Sequence, residues 1–228
     1  MKFSRHTPAG TIPCDKGYKF TSKEILVYTL EDLGNALDCK SNECVILGQA
    51  CSYGVAQIPH RRLLHRDRKT GDQPTYKPAK HAFVIVDVDE TETPVGWHLD
   101  TQAAVRRALE WLPSEFRGID VAWRLTGSAG LKPGIRLRLA FMLDRPVTGE
   151  ELKVWFADCP HVDPAIFNSV QMIYGDPVFE DRVDPIQKRS GWFRGHRAGV
   201  ATPPTDLKAR IEKEREHARS VGWQTGQE

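Results

Sequence analysis

The sequence predicts a mixed α/β (α+β) fold, and three observations carry that expectation. The run Phe83-Val84-Ile85-Val86 is short, β-branched and continuous, as in a buried strand. Leu26, Leu30, Leu33 and Leu37 recur at helical spacing, as do Ala104, Val105, Ala108 and Leu112. Thr21-x-x-Glu24 and Thr148-x-x-Glu151 have the form of capping boxes that open helices.

Residues 1–20 read as irregular, with Pro8, Gly10, Pro13 and Gly17 as breakers. The box at Thr21 predicts a helix through Ile25 and Leu37, ending near Asp38, followed by a short buried strand over Cys44–Gly48. Residues 53–79 lack a period and contain Pro59, Gly71, Pro74 and Pro78, so they read as a long loop. After the strand at 83–89, Asp100 or Thr101 opens a helix that Pro113 stops. Val121–Leu125 is a strand, and Gly127–Gly134 is a turn. Ile135–Phe141 alternates strictly, which predicts a strand with one polar face, paired Leu125 to Ile135. Thr148 opens a helix bearing Leu152, Trp155 and Phe156, and Asp163-Pro164 starts another short helix or turn. The order β-α-β-β-α over 83–157 is that of a ferredoxin-like or RNA-recognition-motif sheet. Asp206–Arg219 is a nearly all-charged helix that reads as a solvated tail or spacer. Three regions follow: an N-terminal α/β module with a basic loop (1–80), a recognition-motif-like module (81–202) and a charged helical tail (203–228).

Composition narrows the function only a little. A chain of 228 residues, 40% hydrophobic and 27% charged, is ordinary for a globular protein. A net charge of +2 is too small to imply nucleic acid by itself. No apolar run approaches the ~18 residues of a membrane span, and the N-terminus lacks a signal-peptide core, so a cytoplasmic protein is expected. Cys14, Cys39, Cys44, Cys51 and Cys159 form no C-x-x-C pair, which favours reduced thiols over a structural zinc.

The chemistry concentrates at the end of the first predicted strand of the second module. Residues i and i+2 of a strand share a face, about 6.5 Å apart, so Asp87 and Asp89 project side by side. Unpaired, they would repel and be costly to desolvate, and a divalent cation is the simplest remedy. A Walker B strand would need a G-x-x-x-x-G-K-[ST] loop, which the chain lacks. In the turn and strand that follow, Ser128 offers a hydroxyl, Lys132 a point charge, and Arg136 and Arg138 two forked donors on one face. Together these suit a triphosphate; an exposed basic hairpin is the plainer alternative. Asp163 follows an apolar residue and could complete a three-carboxylate site, although taken alone it reads first as an N-cap before Pro164.

This order, apolar-Asp-x-Asp, then Ser-x-Gly with a basic strand, then apolar-Asp, resembles the three motifs of the archaeo-eukaryotic primase superfamily, nearest to primase-polymerases of plasmids, phages and integrated elements. Gln171–Phe179, Asp184-Pro185 and Arg189 resemble the stretch after the third motif. The resemblance implies a primase-like fold and nucleotidyl transfer on a single-stranded DNA template. Asp87, Asp89 and Asp163 would hold Mg²⁺ or Mn²⁺, while Ser128, Lys132, Arg136 and Arg138 would hold a nucleoside triphosphate. It also implies a role in mobile-element replication, with a helicase or other replication protein as partner. One departure matters: that motif usually presents a histidine where this chain has Arg138. The substitution favours a rival reading, a replication module that binds nucleotide or nucleic acid with weakened catalysis.

Five Lys/Arg within residues 60–69 (Arg61, Arg62, Arg66, Arg68 and Lys69) form a candidate template contact, although a lone charge run is commonly a solvated loop. Lys188, Arg189, Arg194 and Arg197, interleaved with Trp192 and Phe193, form a second candidate. A metal-dependent nuclease or rolling-circle initiator would need a His-x-His pair, and no such triplet occurs.

Overall fold

The computed structural model describes residues 4–7, 10–13, 19–41, 43–52, 58–181, 183–197 and 199–224. Pro8, Cys14 and Gly17 lie outside these. The fold is mixed α+β around a four-stranded antiparallel sheet. Its strands run, in order across the sheet, β11 (Ser190–Phe193), β7 (Val121–Leu125), β8 (Arg136–Val147) and β6 (His81–Asp89). β6 and β7 are both antiparallel to β8, which lies between them, and the helix α2 (Thr101–Glu110) connects them.

Local chemistry explains most of these elements. Asp100 caps α2 by accepting from the Ala103 amide at 2.9 Å. The Thr148–Glu151 box opens α3 (Gly149–Trp155), with both reciprocal bonds formed. Alternation along the sheet places Val86, Val88, Leu137, Leu139 and Phe141 on one face, where they join the core with Val105 and Ala108 of α2. Phe116 links Phe141 (centroids 4.8 Å apart) to Trp155 (4.7 Å) on that side.

The other face is covered by the N-terminal part of the chain. α1 (Leu30–Leu37) packs against β7 and β8, and Gly34 sits against the Trp192 ring. Two short sheets stitch this part to the far end of the chain. β1 (Ser4–Thr7) pairs antiparallel with β2 (Gly10–Pro13) and parallel with β10 (Val178–Phe179), while β3 (Cys44–Val45) pairs with β9 (Ile173–Tyr174). The first 80 residues thus share backbone hydrogen bonds with residues 173–179. β4 (Gln49–Ala50) pairs with β5 (Tyr76–Lys77) across the long loop.

Several expectations need correction. A hairpin occupies part of 1–20. The first helix begins at Leu30, not near Thr21: Thr29 and Asp32 form the capping box, and Asp32 also accepts from the Tyr28 amide. Ile25, Leu26 and Tyr28 are consequently exposed. The strand after it is only Cys44–Val45. Leu125 pairs with Leu137 rather than Ile135, because Thr126 still donates to Arg136 across the turn. The polar face of β8 is present, but its Arg138 is buried, at 8% exposure, rather than solvated. The tail helix α4 (Leu207–Gln224) docks its first turn through fully buried Leu207, and Arg215 reaches Glu150 at 2.9 Å. Residues 212–220 are exposed. Among the described residues no helix is long and apolar enough to cross a membrane.

Candidate functional site

The site grows from the tip of β6. Strand alternation puts Asp87 and Asp89 on the face that α1 covers, and the antiparallel register sets Arg138 opposite Asp87 and Arg136 opposite Asp89. The premise that these acids stand unpaired is therefore corrected. Arg138 Nε lies 3.6 Å from Asp87 Oδ2, and an Arg136 Nη1 hydrogen bond closes on Asp89 Oδ1. Cross-strand charge pairs of this kind neutralise acids that the sheet would otherwise strand.

Asp163 arrives by backbone pairing. Val162 forms an antiparallel bridge with Val88; the Asp163 amide donates to the Asp87 carbonyl at 3.0 Å, and the Asp89 amide donates to the His161 carbonyl at 2.9 Å. Asp163 also caps the short 3-10 turn Pro164–Phe167, accepting from the Ala165 amide at 2.9 Å. The cap and the meeting of acids are thus both present. Burial pushes the Asp87 carboxyl up; Arg138 opposes this, and the negative charges of Asp163 and Asp89 add to it.

Three carboxylates on one patch are a donor set suited to a hard divalent ion. Yet among the described residues no group of three His, Cys, Asp or Glu side chains stands arranged to hold one. As the side chains lie, guanidinium groups stand against two of the three acids, Asp87 and Asp89.

The turn is tied to the same tip. Gly134 has φ +92°, and a Cβ there would come 1.8 Å from the Glu90 carbonyl oxygen, so only glycine permits this approach. Glu90, buried just past Asp89, accepts from the Thr93 hydroxyl at 2.6 Å and the Thr93 amide at 3.1 Å. Ser128 is half-buried and its carbonyl accepts from the Leu131 and Lys132 amides, both at 3.1 Å. Those two amides are thus already engaged within the turn. Lys132 is exposed and has no ion pair among the described residues. Arg136 Nε donates to the Pro133 carbonyl at 3.2 Å, and Arg138 Nη1 to the Tyr174 carbonyl at 2.7 Å.

The candidate template residues divide. Arg61 holds its own loop together, reaching Asp67 at 2.7 Å and Asp72 at 3.0 Å. Arg62 donates to the Val170 carbonyl and lies 5.4 Å from the Phe20 ring. Arg189 forks onto Asp184 at 2.6 and 2.7 Å and donates to the Thr126 carbonyl at 3.0 Å. These three serve the fold. Arg66, Arg68 and Lys69 remain exposed on the loop.

Sequence reasoning missed Arg124. It is 1% exposed, faces Arg138 across β7 and β8, and binds Asp38 at the end of α1 and Asp176 after β9. An arginine inside an apolar strand was the available signal, since a buried cation requires acids from elsewhere. Comparison with known proteins found no matching family model, curated protein or solved structure.

Proposed function

We propose that this chain is a primase-polymerase, a nucleotidyltransferase that extends DNA on a single-stranded template during replication of a mobile element. The observation that carries the reading is the Val88–Val162 bridge, which sets Asp163 beside Asp87 although 75 residues lie between them. The split β-α-β order of β6, α2 and β7 around β8 supports a primase-like, recognition-motif type of sheet. Bound Mg²⁺ or Mn²⁺ would activate the attacking hydroxyl and stabilise the leaving pyrophosphate. Asp87, Asp89 and Asp163 would supply the oxygens for it. Lys132, Arg136 and Arg138 offset charge on the phosphates, and the Ser128 hydroxyl donates to them. Arg66, Arg68 and Lys69 are exposed cations that can meet template backbone, and a helicase or other cytoplasmic replication protein is the partner class that fits this activity.

The test is incubation with a primed single-stranded template, each class of nucleotide and each metal. Extension is expected, and Asp87→Ala or Asp89→Ala abolishes it with the fold intact by circular dichroism. Full activity in either variant overturns the site. The pairing of both acids with arginine favours a second reading, a nucleotide-binding replication module without transfer. Nucleotide binding by calorimetry with no extension, even under Mn²⁺, selects it.

A further inference from the structure

The same two arginines face two demands. They neutralise acids in the structure, and the proposed activity asks them to neutralise phosphates. We propose that Arg136 and Arg138 are exchangeable counter-ions, held by Asp89 and Asp87 until a triphosphate draws them away, so that a cation binds the acids only together with the nucleotide. This rests on the nucleotidyl-transfer reading and adds to it an order of assembly.

The geometry supports exchange over a fixed pair. Arg138 Nε has no hydrogen-bond partner among the described residues and stands 3.6 Å from Asp87, longer than a charge-assisted bond. Its Nη1 is anchored independently on the Tyr174 carbonyl, so the guanidinium keeps a hold when the Asp87 contact is given up. Asp89 is 50% exposed, and ion pairs with such solvent access are weak. Arg136 also touches the turn through Pro133, so it already bridges the acids and the segment that carries Ser128 and Lys132. Asp163 has no arginine opposite it: its carboxylate accepts from the Ala165 amide alone among the described hydrogen bonds. The site thus holds two acids masked by arginine and one unmasked. Arg124 cannot serve as the exchanging group, because Asp38 and Asp176 bind it from the other side.

A phosphate chain carries more charge than a carboxylate and accepts the arginine fork equally well. Moving both guanidinium groups to it removes two positive charges from the acids and brings a cation-seeking polyanion beside them. Coupling between nucleotide and cation follows, and by linkage it must be reciprocal.

Mn²⁺ binding read by electron paramagnetic resonance tests this, with a non-hydrolysable deoxynucleoside triphosphate and correction for chelation by the nucleotide. Wild type should bind Mn²⁺ about tenfold more tightly with the analogue than without. Arg136→Gln should bind Mn²⁺ alone several-fold more tightly than wild type and lose most of the coupling. Lys132→Gln removes an equal charge nearby without freeing an acid, and should leave Mn²⁺ affinity without nucleotide nearly unchanged. Should Arg136→Gln fail to fold, Arg136→Lys keeps the charge, loses the fork, and should show reduced coupling. Equal Mn²⁺ affinity with and without the analogue overturns the exchange, as does equal tightening in the Arg136 and Lys132 variants. Extension activity with uncoupled Mn²⁺ overturns the exchange alone. Absence of Mn²⁺ binding in every arm, with no extension, overturns the transfer reading as well.

Discussion

On one face of the four-stranded sheet Val88, Leu139 and Phe141 join the core, where Phe141 meets Phe116; on the other, one residue away along each strand, Asp87, Arg138 and Arg124 stand in a row. Phe141 and Arg124 are almost equally hidden, at 0% and 1% exposure. The apolar face needs only volume and a rough match of shape. The charged face needs each partner at a given register position, because a buried charge without its acid is costly. Burial alone therefore says little about how a position in this sheet tolerates change.

The largest expected effect lies on the apolar face. Phe116→Ala removes the ring that joins Phe141, Trp155 and Phe156, and should cost about 3–5 kcal/mol in chemical denaturation. A loss under about 1 kcal/mol would mean that this face is not the core. Next, Arg124→Ala should cost about 2–3 kcal/mol, less than the ~3–5 for breaking a fully buried pair, because Asp38 and Asp176 are about half exposed and rehydrate. Arg124→Met, which keeps much of the volume, should recover part of that loss. If methionine is no better than alanine, the charge and not the packing holds α1 on the sheet.

The smallest effect lies at the helix beneath the apolar face. Burial alone would raise the Glu151 carboxyl, but the Thr148 amide, Arg145 and the Thr148 hydroxyl together hold it below the usual glutamate range. A depressed carboxyl stabilises the fold above its unfolded titration and loses that contribution as pH falls through its folded one. Glu151→Gln should therefore cost about 1 kcal/mol at neutral pH, and the gap to wild type should close on acidification below the ordinary glutamate range. A pH-independent gap would show that the box acts by shape alone.

What the sequence revealed follows this division. β6, β7, α2 and α3 were legible because apolar runs, Asp100, Pro113 and the Thr148–Glu151 box act within a few residues. The start of α1 was not, because Thr21-x-x-Glu24 and Thr29-x-x-Asp32 have the same local form and only the second is realised. The pairing of β1 with β10 joins residues far apart, and no local pattern encodes it. The acids at 87 and 89 were visible as a pair, and the arginines at 136 and 138 as a basic strand. That they would face each other depends on the β6–β8 register, which no local pattern sets. Arg61, Arg62 and Arg189 looked like an open basic surface because charge in a sequence does not reveal the oxygen that receives it.

Gly134 has a mechanical consequence. Its missing side chain lets two loops nest closely, with the Glu90 oxygen only 1.8 Å from where a methyl carbon would go. A methyl inserted there would act as a shim, prising the two loops apart and tilting the tip of β6 on which Asp89 rides. The tightest tolerance around these acids thus belongs to a residue with no functional group at all.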